Sequence, residues 1–390
     1  MTPAALGSAG SSLAVYVHMP WCVRKCPYCD FNSHQLKSGR PDDAYLDALL
    51  ADFDADLRWA AAGRRVERVF FGGGTPSLFG PPAFARLLEG LRQRIEFAAD
   101  AEITLEANPG TIERGRFDGY REAGINRVSL GAQTFSPAAL QRLGRIHTAE
   151  DTHRAVAELR CAGIENFNLD LMYALPGQTL EEALVDVRTA CSLGPTHLSY
   201  YQLTLEPGTV FHTRPPSLPD EDAAWSIQTE CQRLLAAAGY RQYEVSAYAQ
   251  DGRQCRHNLN YWCFGDYLGL GAGAHGKITF ELPANVVRTT KAAQPRDYQV
   301  TMMNGSGKGG DRRLIPVGDL PFEFMLNALR LNEGFPVGLF QAQTGLSPGV
   351  IEAKLADARR KGLMDVINNR WIPTDLGRRF LNDLQASFLP

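Results

Sequence analysis

The chain of 390 residues has no apolar run approaching the ~20 residues that a membrane-crossing helix needs. It also has little net charge: 40 Lys and Arg against 43 Asp and Glu leave −3, so no general attraction for nucleic acid or anionic lipid is expected. Eight cysteines over this length do not make a disulfide scaffold, and a close-set group of them argues for a reducing compartment. Residues 1–12 are small and polar, without a charged start or an apolar core. They read as a disordered N-terminus rather than a signal peptide, and a soluble, cytoplasmic protein is the expectation. With 44% hydrophobic and 21% charged residues, the class is globular, long enough for one large domain and one small one.

What is present is concentrated near the start. Cys22, Cys26 and Cys29 form C-x3-C-x2-C in Cys22-Val-Arg-Lys-Cys-Pro-Tyr-Cys29, directly after the apolar run 13–19. Thiolates are soft ligands, and a 4Fe–4S cluster wants four of them. Three from the protein leave one iron open to a small molecule. A zinc knuckle completed by a distant ligand is the competing reading.

The first half alternates short apolar runs with helical stripes. Strands are predicted at 13–19, 66–71, 101–107, 125–131, 164–172 and 195–203. Tyr45, Leu46, Leu49, Leu50 and Phe53 form one stripe, and Phe84, Leu87, Leu88 and Leu91 another. Thr148 with Asp151 suggests a capping box. Repeated βα units imply a parallel sheet with right-handed crossovers, and six of them make a partial (β/α)6 barrel of TIM type. Such barrels keep their chemistry at the C-terminal strand ends. There the sequence places the cysteines, Gly72-Gly-Gly-Thr-Pro76, Glu106, Gln133 and Asp170.

The cysteine spacing and the glycine motif resemble the radical S-adenosylmethionine (SAM) superfamily, in which SAM chelates the open iron through its amino and carboxylate groups. Tyr16-Val-His-Met-Pro-Trp-Cys22 and Asn168-Leu-Asp-Leu-Met-Tyr-Ala-Leu-Pro-Gly177 are similar to its branch around oxygen-independent coproporphyrinogen oxidase, over about 13–385. The resemblance implies a cluster on Cys22, Cys26 and Cys29, and SAM contacts from Tyr16, Tyr28, Gly73, Gly74, Thr75, Glu106, Gln133, Arg145 and Asp170. Read alone, the glycines suit a tight βα turn, Glu106 a solvated strand end and Arg145 a surface cation. The implied chemistry is reductive cleavage of SAM to methionine and a 5′-deoxyadenosyl radical, inside a dry barrel mouth.

Two features divide that branch. Oxidases of the family carry a further cysteine shortly after the third ligand; this chain has Asp30-Phe31. His257-Asn-Leu-Asn-Tyr-Trp262 resembles the H-N-x-x-Y-W motif of HemW-type proteins, the haem chaperones. That likeness implies haem as cargo, held by His257 with Tyr261 and Trp262 as aromatic faces, together with a haem donor and apo-haem proteins as acceptors. Peripheral membrane contact is compatible with it, though no basic amphipathic helix demands it. The competing function is coproporphyrinogen III decarboxylation. By itself His257 reads as a solvated or capping histidine, or as a zinc ligand with Cys255 and Cys263. Cys161, Cys191 and Cys231 read as small buried hydrophobes.

The expected layout is the barrel over 13–240, a haem-motif and glycine-rich extension over 241–303, a linker over 304–313, and a mainly helical, winged-helix-like domain over 314–390. In the last, Asn368-Asn369 is a hairpin turn and Thr374 a helix cap. Acids offset its basic residues, so DNA binding is not expected, and a lid or partner-docking role fits better.

Overall fold

Residues of alternating character build the sheet that carries everything else. In the computed structural model, which describes residues 12–36, 43–60, 63–111, 116–280, 285–304 and 310–390, six parallel strands follow the expected order. They are β1 (Ser12–Met19), β2 (Arg65–Gly73), β3 (Phe97–Ala107), β4 (Arg127–Gln133), β5 (Phe167–Tyr173) and β6 (His197–Gln202). Each neighbour pair is parallel. The crossovers are helices α1 (Asp43–Ala60), α2 (Pro81–Arg92), α3 (Arg116–Glu122), α4 (Ala149–Cys161) and α5 (Leu180–Ser192); α6 (Glu221–Ala237) follows β6.

Side chains on one face of the strands, such as Val15, Val17, Val69, Phe71, Leu105, Val128 and Leu130, pack into one core with Leu46, Leu49, Phe53, Phe84, Leu87 and Leu88. Strand side chains alternate between faces, so the other face lines the barrel interior. It is polar: Tyr16, His18, Glu102, Glu106, Arg127, Ser129, Asn168, Asp170 and His197 all lie there. Fully apolar strands, which a sheet covered on both faces predicts, are therefore not what forms.

Past 240 the chain extends this sheet at both edges. Ala247–Ala249 and Arg241–Gln242 add antiparallel strands beyond β6, while β7 (Tyr267–Leu270) pairs in parallel with β1. Three antiparallel strands, His275–Thr279, Val286–Thr290 and Asp311–Leu314, complete twelve in all. The sequence signal for β7 is weak because it is only four residues with a glycine inside. Before it, Arg256–Trp262 forms helix α7, so His257 is neither solvated nor in a loop.

The last segment has its own core around Phe324, Phe335, Phe340, Leu355, Met364 and Leu384. Helices Leu320–Ala328, Leu339–Thr344 and Gly349–Arg360 precede a hairpin, Met364–Ile367 with Arg370–Pro373. Asn368 and Asn369 both take left-handed φ, 50° and 60°, as a two-residue type I′ turn requires. Thr374 accepts from the Gly377 N–H as a helix cap, and Thr148 and Asp151 form the expected capping box. The start of the chain through 11, and 305–309 of the expected linker, lie outside the described residues; 311–314 form an edge strand. Of the three cysteines read as buried, Cys231 is buried and Cys191 half-buried, but Cys161 is exposed at the end of α4, where the apolar stripe has already run out.

Candidate functional site

The cysteine loop leaves the C-terminal end of β1, so its three thiols sit at the barrel mouth. Each has its own polar neighbour. The Thr75 hydroxyl lies 3.5 Å from Cys22 Sγ, an Arg145 amino group 3.7 Å from Cys26 Sγ, and Ser33 Oγ 3.7 Å from Cys29 Sγ. Burial raises the pKa of the Cys22 and Cys29 thiols. No set of three Cys, His, Asp or Glu side chains among the described residues is placed to share a metal ion, these thiols included. Their chemistry still suits an iron–sulfur cluster. Three soft donors lie on one loop, hydroxyl and guanidinium donors surround the sulfurs, and Arg145 Nε is buried without a partner beside Cys26.

The other mouth residues converge from separate strands. Gly73 takes φ 115°, and a Cβ there would lie 2.5 Å from the His18 ring, so only glycine fits. Its N–H donates to Glu106 Oε2 at 3.1 Å. Burial, then the nearby Asp170 charge, pushes the Glu106 carboxyl up to about 8. It is no solvated strand end. Asp170 accepts from Asn168 Nδ2 at 2.7 Å and from Ser129 Oγ at 3.3 Å. Gln133 ends β4 in left-handed φ, 66°, at a sheet irregularity, and accepts from the Tyr201 hydroxyl at 2.7 Å. Arg145 is no surface cation: it is tied to the Gly131 carbonyl at 2.8 Å and touches Cys26. Tyr28 packs against Phe211 in a small apolar cluster beside the loop. A small cleft here is bounded by Val23, Cys26, Thr75, Asn108, Arg145 and Ile146.

Tyr16 reaches down from this mouth. Its hydroxyl is 3.0 Å from His18 Nδ1, and His18 Nε2 is 2.8 Å from the Asn32 carbonyl. A carbonyl only accepts, so Nε2 carries the proton. Burial lowers the His18 pKa, and the neutral ring then accepts the Tyr16 hydroxyl on Nδ1. Neither His18 nor Asn32 was legible as a site residue, because both do their work through contacts distant in sequence.

Helix α7 lies at the opposite end. Its neighbours are Arg68, Phe70 and Glu102, which precede Gly72 and Glu106 on β2 and β3. Arg68 donates to Asn260 Oδ1 at 2.8 Å. The Glu102 carboxylate accepts the backbone N–H groups of Arg256 at 3.2 Å and His257 at 3.1 Å, capping the helix where its dipole is positive. The His257 ring points into the barrel, 5.0 Å from Phe70 and 6.3 Å from Tyr16 between centroids. It is 1% exposed. Burial, then Arg68 and Arg127, lowers its pKa to about 3, so the imidazole is neutral. Nε2 lies 2.9 Å from the Tyr261 hydroxyl, and Nδ1 is buried with no hydrogen-bond partner. Trp262 instead faces the C-terminal segment, with the Arg330 guanidinium 4.3 Å over its ring. A cavity of about 120 Å³, lined by Tyr261, Trp262, Phe264, Tyr267, Lys277 and Arg288, opens beside it. Cys255 approaches Glu102 while Cys263 packs into the C-terminal core, so neither joins His257 in a metal-ligand set.

A buried hydrogen-bond chain joins the two ends. From Asp170 it runs through Asn168 to His197 Nδ1 at 2.6 Å, and from His197 Nε2 to the Tyr243 hydroxyl at 2.8 Å. That hydroxyl accepts the Cys255 N–H at 3.3 Å, at the start of α7.

This arrangement, a parallel α/β barrel with three loop cysteines, a glycine strap and buried carboxylates at one mouth, is that of a radical SAM protein. The family profile described as the Radical SAM superfamily matches residues 16–190, and that of the HemN C-terminal domain matches 316–380. The solved structure of Escherichia coli coproporphyrinogen III oxidase (HemN), described as a radical SAM enzyme, aligns with TM-score 0.81 over 99% of this chain and 92% of that one, at 25% identity. The heme chaperone HemW of Escherichia coli is 52% identical over 97% of this chain and 98% of its own length, and that of Bacillus subtilis 32% identical over 96% and 99%. A mouse mitochondrial protein, radical S-adenosyl methionine domain-containing protein 1, is 41% identical over 84% of this chain and 75% of its own length. The chain belongs to the HemW family.

Proposed function

We propose that this protein is a haem chaperone, which binds haem and passes it to haem proteins from a SAM-binding, 4Fe–4S radical SAM scaffold. The observation that carries the reading is the full-length likeness to HemW, 52% over 97% of the chain, with His257-Asn-Leu-Asn-Tyr-Trp262 intact as a helix. Cys22, Cys26 and Cys29 hold the cluster, with Thr75, Ser33 and Arg145 donating to their sulfurs. Gly73, Gly74 and Thr75 offer backbone to the methionyl part of SAM, and Glu106 pairs with its ammonium. Gln133, Arg145, Asp170, Tyr16 and Tyr28 complete that pocket. The bound pair supplies electron transfer into the SAM sulfonium; the residues around it orient the ligand and exclude water.

His257 supports haem coordination on two counts: it is neutral, and it carries an unpartnered buried nitrogen. It is enclosed, however, and the 120 Å³ cavity beside Tyr261 and Trp262 is well below the ~300–1,000 Å³ of ordinary ligand pockets. Haem capture therefore requires α7 to swing outward, exposing His257 and Tyr261, which share one helix face, with Trp262 at its edge. Coproporphyrinogen III oxidation is disfavoured by Asp30-Phe31 where the oxidases have a further cysteine. Acceptors are apo-haem proteins, the donor a haem-carrying protein, and the site of action the cytoplasm. Among the described residues, no helix is long and apolar enough to cross a membrane. An anaerobic haem titration of wild type and His257→Ala, followed by mixing with an apo-haem protein, tests this. Saturable haem absorbance that moves to the acceptor, and is lost or altered in the variant, is expected. Absence of haem binding by the wild type overturns the reading, and porphyrinogen decarboxylation becomes the assay to run.

A further inference from the structure

Asn32, three residues beyond Cys29, is the most heavily tied side chain of the cysteine loop. Its amide nitrogen donates to the Ala272 carbonyl at 2.9 Å and to the Ala293 carbonyl at 2.9 Å, more than two hundred residues away in sequence. Its side-chain oxygen is 3.1 Å from His34 Nε2, and its own carbonyl takes the His18 Nε2 proton at 2.8 Å. Both amide donors and the amide acceptor are thus engaged. His18 in turn fills the space beside Gly73 that a Cβ would need. One residue therefore touches the cysteine loop, the histidine under the SAM glycines, and the glycine-rich segment after α7.

The receiving segment is shaped to meet it. Gly271 and Gly273 take left-handed φ, 103° and 76°. A Cβ on Gly273 would collide with the Asn32 amide nitrogen, and one on Gly271 with the His18 carbonyl. The segment is rigidly anchored from below. Asp52 accepts the Gly271 N–H at 3.2 Å, the Ala272 N–H donates to the Tyr45 hydroxyl at 2.9 Å, and Lys291 pairs with Asp52 and Asp56 at 2.5 and 2.8 Å, all of them buried. The anchor fixes the two carbonyls, and the carbonyls fix Asn32.

We propose that Asn32 is a positioning residue: it locks the chain after Cys29 onto the Ala272 and Ala293 carbonyls, so that the cluster cysteines and the SAM glycines keep one mutual geometry. The loop's other ties run elsewhere: residues 34–35 pair with 21–22, the Phe211 N–H donates to the Pro27 carbonyl at 3.0 Å, and Arg145 reaches Cys26 Sγ. Asn32 supplies the side-chain link to Ala272 and Ala293. An asparagine is specified because two carbonyls need two donors from one planar group, which an aspartate lacks. The proposal rests on the cluster and SAM assignments and not on haem.

The test uses the full chain with its cluster reconstituted anaerobically, as Asn32→Ala, Asn32→Asp and Gly273→Ala. The last alters the clasp from the opposite side and leaves residue 32 and every cysteine untouched. Thr374→Ala, in a helix cap of the C-terminal segment, controls for general loss of stability. The readouts are iron and sulfide content, SAM affinity, the change in the reduced cluster's electron paramagnetic resonance on adding SAM, and amide exchange across 271–276. Expected are near-complete clusters in all variants, SAM affinity about tenfold weaker in the three clasp variants, as loss of about one net hydrogen bond's worth of order implies, a weakened spectral response, and faster exchange at 271–276. Wild-type SAM affinity and spectra in folded Asn32→Ala or Gly273→Ala overturn the proposal. So does an equal loss in Thr374→Ala, or failure of all three clasp variants to fold, either of which makes the role purely structural.

Discussion

The two ends of the barrel are built by opposite means. At the mouth, chemistry comes from residues adjacent in sequence, three cysteines in eight positions and three successive glycines, with single carboxylates added at strand ends. At the other end one short helix is held by residues gathered from four strands. Glu102 caps it, Arg68 grips Asn260, and Asn168, His197 and Tyr243 reach Cys255. The mouth is a set of open ligands, and the base is a buried network closed around His257, whose Nδ1 it leaves unpaired. Ligand-ready groups can be local because a cofactor completes them; a plug must be completed by the fold.

Replacing Cys26 with Ala separates the ends most sharply. Cluster assembly should be abolished, read as iron and sulfide content near zero, while far-ultraviolet dichroism stays native because the loop carries no core. At the base, Glu102→Ala removes the acceptor of two helix-end N–H groups and the buried charge near Arg127, at a cost of about 3 kcal/mol in urea unfolding. An unchanged midpoint would show that α7 is not capped as described.

Glu106→Gln should weaken SAM binding by roughly 10–100-fold, the worth of a charge-assisted contact. The pH dependence sharpens this. Without ligand, burial holds the Glu106 carboxyl up to about 8, while the proposed pairing with the SAM ammonium needs the carboxylate. Binding below that pH must expel a proton, so affinity rises with pH up to about 8 in the wild type and loses this slope in the Gln variant; calorimetry in two buffers reads it. At the base the His257 pKa moves the other way, yet the consequence has the same sign, acting on stability rather than on affinity. It falls from 6.5 to about 3 on folding, so the unfolded chain takes a proton the fold refuses, and stability drops as pH falls below 6.5. His257→Gln should flatten that acid limb of the unfolding curve. The smallest effect is expected from Thr148→Ala, about 1 kcal/mol of stability with no change at either end.

The same contrast explains what could be read from the chain beforehand. The six strands and the stripes Tyr45–Phe53 and Phe84–Leu91 were legible because a buried face imposes a period on the sequence. The placement of the cysteines, Gly73, Glu106, Gln133 and Asp170 at one mouth followed from strand polarity alone. The polar inner face was not legible: Glu102, Asn168 and His197 alternate with apolar neighbours, and the core face dominated the reading. Strand β7 escaped notice because it is short, glycine-bearing and joined to β1 across the whole barrel. Helix α7 was legible as a motif but not as a plug, since nothing local to His257 announces Glu102 beneath it.

The direct test of two chemically separate ends is a haem titration of Cys26→Ala beside a SAM titration of cluster-loaded His257→Ala. Haem binding that survives cluster loss, and SAM binding that survives loss of the histidine, is the predicted result. Loss of haem binding in Cys26→Ala would place the haem at the cysteine mouth and contradict the account.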